Sequence, residues 1–297
     1  MENEILIQLS KQVADRNIES TLDDLRKLRS CFADIISLLD KEQIQFPQIW
    51  YEYYEAMAIK FRLNINSIIE LYEIENNLPK HIIYHDLSSI YLLNRSLLET
   101  YLTFFYSYIL PQSNEDKLMN YYIFKISGLV NRQNYSISGF EKINLEFLKR
   151  REDEKFDIEY YQIELQKLQS FIVLDLKEKE KNNLLKGKFA KRFGFIELIK
   201  MSKLKDILFI DMWKLYSNYA HCELLALVQI NSYGDNPEQI YNALYGTLTN
   251  TLIVVSIMIT DFIKVYKGTV VENLEIPKLD EALLNIIEFW HLHGTEL

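Results

Sequence analysis

The sequence predicts an all-α protein: a multi-helix bundle with one long central apolar helix and a long charged helix free to protrude. Three observations predict it. Eight Gly and five Pro in 297 residues are too little turn chemistry for a many-stranded sheet. Pro47, Pro79, Pro111, Pro237 and Pro277 each stand just ahead of a long stretch with apolar residues at steps of three and four, where a missing N–H costs nothing. The most apolar run, Leu252 to Ile259, is interrupted by Ser256 and bounded by Thr251, Thr260 and Asp261. It falls short of the roughly 18 residues of a membrane span and reads as a buried helix.

Taken in order, the periodicity places helices over 3–41, 48–62, 66–76, 80–110, 114–133, 141–180, 195–203, 206–230, 237–267 and 278–292. Helix content of at least about 60%, with essentially no sheet, follows. Residues 149–181 alternate charges, from Lys149, Arg150, Arg151, Glu152, Asp153 and Glu154 to Lys177 and Lys181, the look of a solvated helix laced with i, i+4 pairs. Residues 1–78 are expected as an N-terminal helical segment packed on the core and 79–297 as the helical-bundle domain, the two continuous.

Composition narrows the function classes. A formal net charge of −9 opposes nonspecific attraction to nucleic acid or an anionic membrane, and no membrane partner is expected. The charge is uneven: ten Lys or Arg against three Glu between Lys177 and Lys205 make a basic strip on an acidic body. The opening Met-Glu-Asn-Glu lacks the features of a signal peptide, so a cytoplasmic location is expected. Cys31 and Cys222, the only cysteines, stand far apart and suit buried thiols better than a disulfide or a zinc site.

Three places break the helical pattern. On the helix after Pro79, His81, His85, Ser88, Leu92, Arg95, Ser96, Glu99 and Thr103 share one arc opposite a stripe of Ile83, Leu87, Ile90, Leu97, Tyr101, Phe104 and Tyr108. The arc reads either as a solvent face or as the wall of an internal site. If buried, Arg95 and Glu99 must be hydrogen-bonded on all sides. His81 and His85 have metal-ligand spacing, but two ligands make no site, and neither metal nor cofactor is expected.

The second break is the stripe Ile207, Ile210, Lys214, Ser217, His221, Leu225, Val228, where polar residues interrupt what reads as a core seam. Lys beside His can hold a phosphate and move a proton. Equally, Ser217 can bond back to the carbonyl of Trp213, with His221 a satisfied core histidine. The third is Lys186-Gly-Lys-Phe-Ala-Lys-Arg-Phe-Gly-Phe, a loop in which Lys188, Lys191 and Arg192 interleave with Phe189, Phe193 and Phe195. Such loops grip phosphates and stack bases, or dock their rings on a core and leave the cations in water.

At the first two breaks the chain resembles an uncharacterised family of bacterial all-helical domains that pair an Arg-Ser-x-x-Glu helix with a later Ser-x-x-x-His helix. The matching residues are Arg95-Ser96-Leu97-Leu98-Glu99 and Ser217-Asn218-Tyr219-Ala220-His221, and the likeness covers roughly 80–265. More distantly, the second motif is similar to that of HEPN domains, many of them metal-independent ribonucleases. Lys214, with six residues between it and His221, stands where their Arg would be, and Leu215 where their polar residue would be.

That resemblance implies RNA cleavage with His221 as general acid or base and Lys214 and Arg95 stabilising phosphate charge. Beside it stand two other expectations: a non-catalytic scaffold in which Arg95, Glu99, Ser217 and His221 fix helix register, and a module binding an anion or nucleotide. Glu99, Ser96, Ser217, Lys188, Lys191 and Arg192 are the candidate binding residues. The expected partners are RNA or a small anion near Arg95 and His221, with a homodimer left open.

Overall fold

The computed structural model describes residues 2–41, 46, 48–77, 86–139, 142, 144–221, 223–233, 236–269, 279 and 281–295. Of these, 83% are helical. The helices are α1 (Glu2–Asp15), α2 (Ile18–Lys41), α3 (Tyr54–Asn76), α4 (Leu87–Phe104), α5 (Asn114–Gln133), α6 (Leu145–Lys167), α7 (Gln169–Ile172), α8 (Glu178–Leu185), α9 (Phe195–Met201), α10 (Asp206–Ala220), α11 (Leu224–Tyr233), α12 (Pro237–Thr269) and α13 (Glu281–Gly294). A π-helical turn, Phe105–Ile109, follows α4 directly. The strand-like pairing among the described residues is one isolated bridge, Leu204 with Thr295.

The chain divides into two compact units, residues 1–105 with 198–297 and residues 106–197. α3 and α4, on either side of residue 78, pack against each other.

Local chemistry sets many of the helix starts. The side chains of Asp86, Ser113 and Asn144 accept the backbone N–H three residues on, at 3.0, 3.1 and 3.0 Å, satisfying donors the first turn leaves open. Pro237 opens α12 as the fixed φ of proline allows. Pro47, Pro79 and Pro277 lie outside the described residues, as does Cys222, while Cys31 is buried.

In the first unit α12 is the centre, contacting α2, α4, α11 and α13. Thr251 through Ile259 are all buried. By length and composition Pro237–Gly268 would suffice to cross a membrane, and 67% of its most apolar window is packed inside the protein. An aromatic knot fastens it: Tyr54 stacks on Phe262 at 4.5 Å, Phe32 meets the same ring edge-on at 5.3 Å, and the Tyr54 hydroxyl donates to the Phe262 carbonyl at 2.8 Å. Tyr72 repeats the device on the Leu244 carbonyl at 2.7 Å, so these two buried hydroxyls have their partners.

In the second unit α6 lies along α5 rather than standing free, with Leu165 and Glu154 buried on its inner side. Glu154 is held by Arg132 at 2.5 Å and by Gln133 at 2.9 Å, as a buried carboxylate requires. The expected helix 141–180 is interrupted. Leu168 turns to extended backbone, and Glu115 of α5 takes the N–H groups of Gln169 and Ser170.

Candidate functional site

In the first unit the Arg-Ser-x-x-Glu helix is α4, and it packs on α10. Arg95 Nε donates to Glu99 Oε1 at 2.9 Å, and Trp213 Nε1 of α10 donates to the same oxygen at 3.0 Å. The Arg95 guanidinium lies over the Trp213 ring at 5.6 Å, within cation–π range. One carboxylate thus receives two donors while the cation covers the ring between them. Ser96 joins a different helix, accepting from Asn64 Nδ2 of α3 at 3.1 Å. Ser217 donates to the Trp213 carbonyl at 2.7 Å, the helical back-bond open to a serine at that spacing.

The remaining members of the motif lie elsewhere. Lys214 is exposed and faces Asp211 at 3.5 Å. His221 is the exposed C-cap of α10, its backbone N–H on the Ser217 carbonyl at 3.2 Å. Eight residues separate His221 from Trp213, about 12 Å along a helix axis. Among the described residues no hydrogen bond or ion pair links Arg95, Lys214 and His221 to one another.

The stripe from Ile207 to Val228 is not a core seam, since Ile207 is 83% exposed and Leu225 and Val228 are exposed too. A rival stripe at equally regular steps, Phe209, Met212, Tyr216 and Tyr219, takes the core side of α10. Tyr216 and Tyr219 meet Tyr91 of α4 at 5.0 and 4.6 Å. His81 and His85 lie outside the described residues, among which no three potential ligands converge on a metal-sized site. The N-terminal side of α10 borders an open apolar groove of about 780 Å³ lined by Ile207, Leu208, Met212 and Leu215. Of its polar members, Lys205 Nζ is engaged by the His293 carbonyl at 2.6 Å.

The second unit carries a different kind of site. After α8 the chain turns at Gly187, whose φ is +68° and where a Cβ would stand 2.8 Å from Val130 of α5. Glycine alone fits there. The following loop and α8 enclose a pocket of about 300 Å³ lined by Leu176, Glu180, Leu184, Phe189, Lys191, Arg192, Phe193 and Gly194. That volume is at the small end for ligand sites. Lys191 Nζ sits 4.4 Å from the Phe195 ring centre, and the Arg192 guanidinium 5.0 Å from that of Phe193. Glu180, the acid in the wall, accepts the Lys177 backbone N–H at 2.9 Å. Lys188 is exposed beside the pocket.

Arg192 also reaches residues outside the pocket lining. Its backbone N–H reaches the buried Tyr106 hydroxyl at 3.3 Å, while its Nε is shielded from solvent with no hydrogen-bond partner. Burial pushes the Tyr106 phenol up despite the nearby guanidinium. Burial alone would also raise the Asp116 carboxyl, but hydrogen bonds from Ser113 and Ser170, with the Arg192 charge, outweigh it and hold Asp116 below the usual range. The basic, aromatic loop that the sequence singles out is therefore a folded pocket wall.

Comparison with protein-family models, with curated proteins and with solved structures finds no match for the chain.

Proposed function

We propose that this chain is a non-catalytic helical module that binds a small anion carrying a flat or apolar group, a nucleotide being the class that fits best. The observation that carries the reading is the convergence of Lys191 and Arg192 with Phe189 and Phe193 on one pocket. The cations supply charge for a phosphate, the rings a face for a base, and Leu176 and Leu184 an apolar wall. The Arg192 guanidinium, in the pocket wall and 5.0 Å from the Phe193 ring centre, sets a cation beside an aromatic face.

In the first unit, Arg95, Glu99 and Trp213 act as a clamp that fixes α4 against α10. A ribonuclease centre needs His221 near the phosphate-stabilising cations, and its exposed position two turns beyond Trp213 favours the binding reading instead. Calorimetric titration with AMP and with inorganic phosphate tests the proposal. AMP binds more tightly than phosphate, and Arg192→Ala weakens AMP by about tenfold or more, whereas His221→Ala leaves it unchanged. No heat with millimolar AMP, or equal loss in both variants, contradicts it.

A further inference from the structure

The outer face of α6 carries an apolar stripe inside an acidic frame. Phe156, Tyr160 and Ile163 follow at steps of four and three and are 69%, 53% and 53% exposed, so they form one continuous ridge. At 100° per residue they point opposite Glu154, Ile158, Tyr161 and Leu165, the side turned to the protein. Leu145, also exposed, continues the line toward the helix start. A charged helix that only met water would not align its large apolar residues on its outermost edge.

The charges beside the ridge say what covers it. Glu152 and Glu159 lie along one flank, Asp153, Asp157 and Glu164 along the other. Lys155 and Lys167 are already paired with Glu152 and Glu164, each at 2.6 Å. Asp153, Asp157 and Glu159 have no ion-pair partner among the described residues. Lys149 and Lys167 are the exposed cations on the line itself, and Lys167 is the one paired with Glu164. A second copy of this face would set carboxylates against carboxylates whichever way the two helices ran. Nucleic acid and anionic lipid are repelled for the same reason.

We infer that the outer face of α6 docks an amphipathic basic helix of a partner protein, its apolar residues spaced three and four apart to interleave with Phe156, Tyr160 and Ile163 and its Lys or Arg flanks facing the acidic rows. The inference is independent of the pocket beside Arg192.

The probe is a fluorescein-labelled three-heptad peptide with Leu at the seam and Lys on both flanks, titrated into the full chain with fluorescence anisotropy; its control carries Glu in place of Lys. The Lys peptide binds saturably and more weakly as salt rises, and the Glu peptide does not bind. Phe156→Ser/Tyr160→Ser/Ile163→Ser weakens the Lys peptide by about tenfold or more. In a second variant, Asp153→Lys/Asp157→Lys/Glu159→Lys, the preference passes to the Glu peptide. Equal binding of both peptides, no binding, or an unchanged preference in the charge-swapped variant overturns the inference. So does sedimentation showing a dimer of the unaltered chain that the triple Ser variant loses, because the occupant is then a second copy.

Discussion

Replacing Trp213 with Phe separates the clamp reading of the Arg95 motif from a catalytic one. The change keeps a flat ring for the Arg95 guanidinium but deletes the N–H that donates to Glu99 Oε1 at 3.0 Å. A hydrogen bond to a charged group contributes about 1.5–3 kcal/mol when enclosed. The Glu99 and Arg95 side chains here are 25% and 21% exposed, so water recovers part of that and about 1–2 kcal/mol remains. The space left by the smaller ring adds about 0.5 kcal/mol. For a unit of this size about 2–4 °C accompanies each kcal/mol, so the melting temperature falls by about 3–10 °C. His221→Ala, at an exposed cap, moves it by less than about 2 °C. Thermal melts followed by circular dichroism at neutral pH give both numbers. A melting temperature for Trp213→Phe within a degree or so of the unaltered chain, or a larger loss in His221→Ala, refutes the clamp.

Two further predictions concern the first unit. Thr251 Oγ1 lies 2.5 Å from Asn94 Oδ1 and 2.8 Å from the Thr247 carbonyl, all in the buried contact of α4 with α12. Thr251→Val therefore costs about 1–3 kcal/mol in urea unfolding by stranding the amide, and Asn94→Leu in the same chain restores part of it. His291 is pushed down by burial and by the charge of Lys203. Its stabilising contribution is present above the ordinary histidine pKa and lost as pH falls through the lower folded value. Asp24 and Asp261 are pushed up chiefly by burial, so their contribution is fully present below the ordinary aspartate pKa and lost as pH rises through the raised values. His291→Gln removes the histidine contribution alone, so the urea midpoint of the variant rises relative to that of the unaltered chain as pH is taken from about 7.5 to 5, and a difference that does not change with pH contradicts the assignment.

The helical class, and the starts of α5 and α12 after Pro111 and Pro237, were legible because they rest on local chemistry, prolines ahead of apolar periodicity; the caps at Asp86 and Asn144 were not read. Breaks set from a distance were not legible. Nothing near Leu168 announces that Glu115, more than fifty residues earlier, takes the next two N–H groups. The face of α10 was misread because two stripes of equal regularity run along it, and the one carrying Phe209, Tyr216 and Tyr219 buries more ring area. Reading polar residues as interruptions of a seam drew attention to Lys214 and His221, both exposed, and away from Trp213, whose indole N–H needed a partner and found Glu99. The loop from Lys186 to Phe195 was legible as basic and aromatic. Its enclosure by Leu176, Glu180 and Leu184 was not, since that depends on Gly187 turning the chain against Val130.

The most direct test of the binding claim is the affinity of the full chain for AMP, measured by calorimetry with and without Arg192→Ala and Phe193→Ala. The pocket predicts saturable binding with one site per chain, weakened by about tenfold or more in each variant while the helical signal and melting temperature stay close to those of the unaltered protein. AMP binding that survives both substitutions, or is absent at millimolar concentration, contradicts the account.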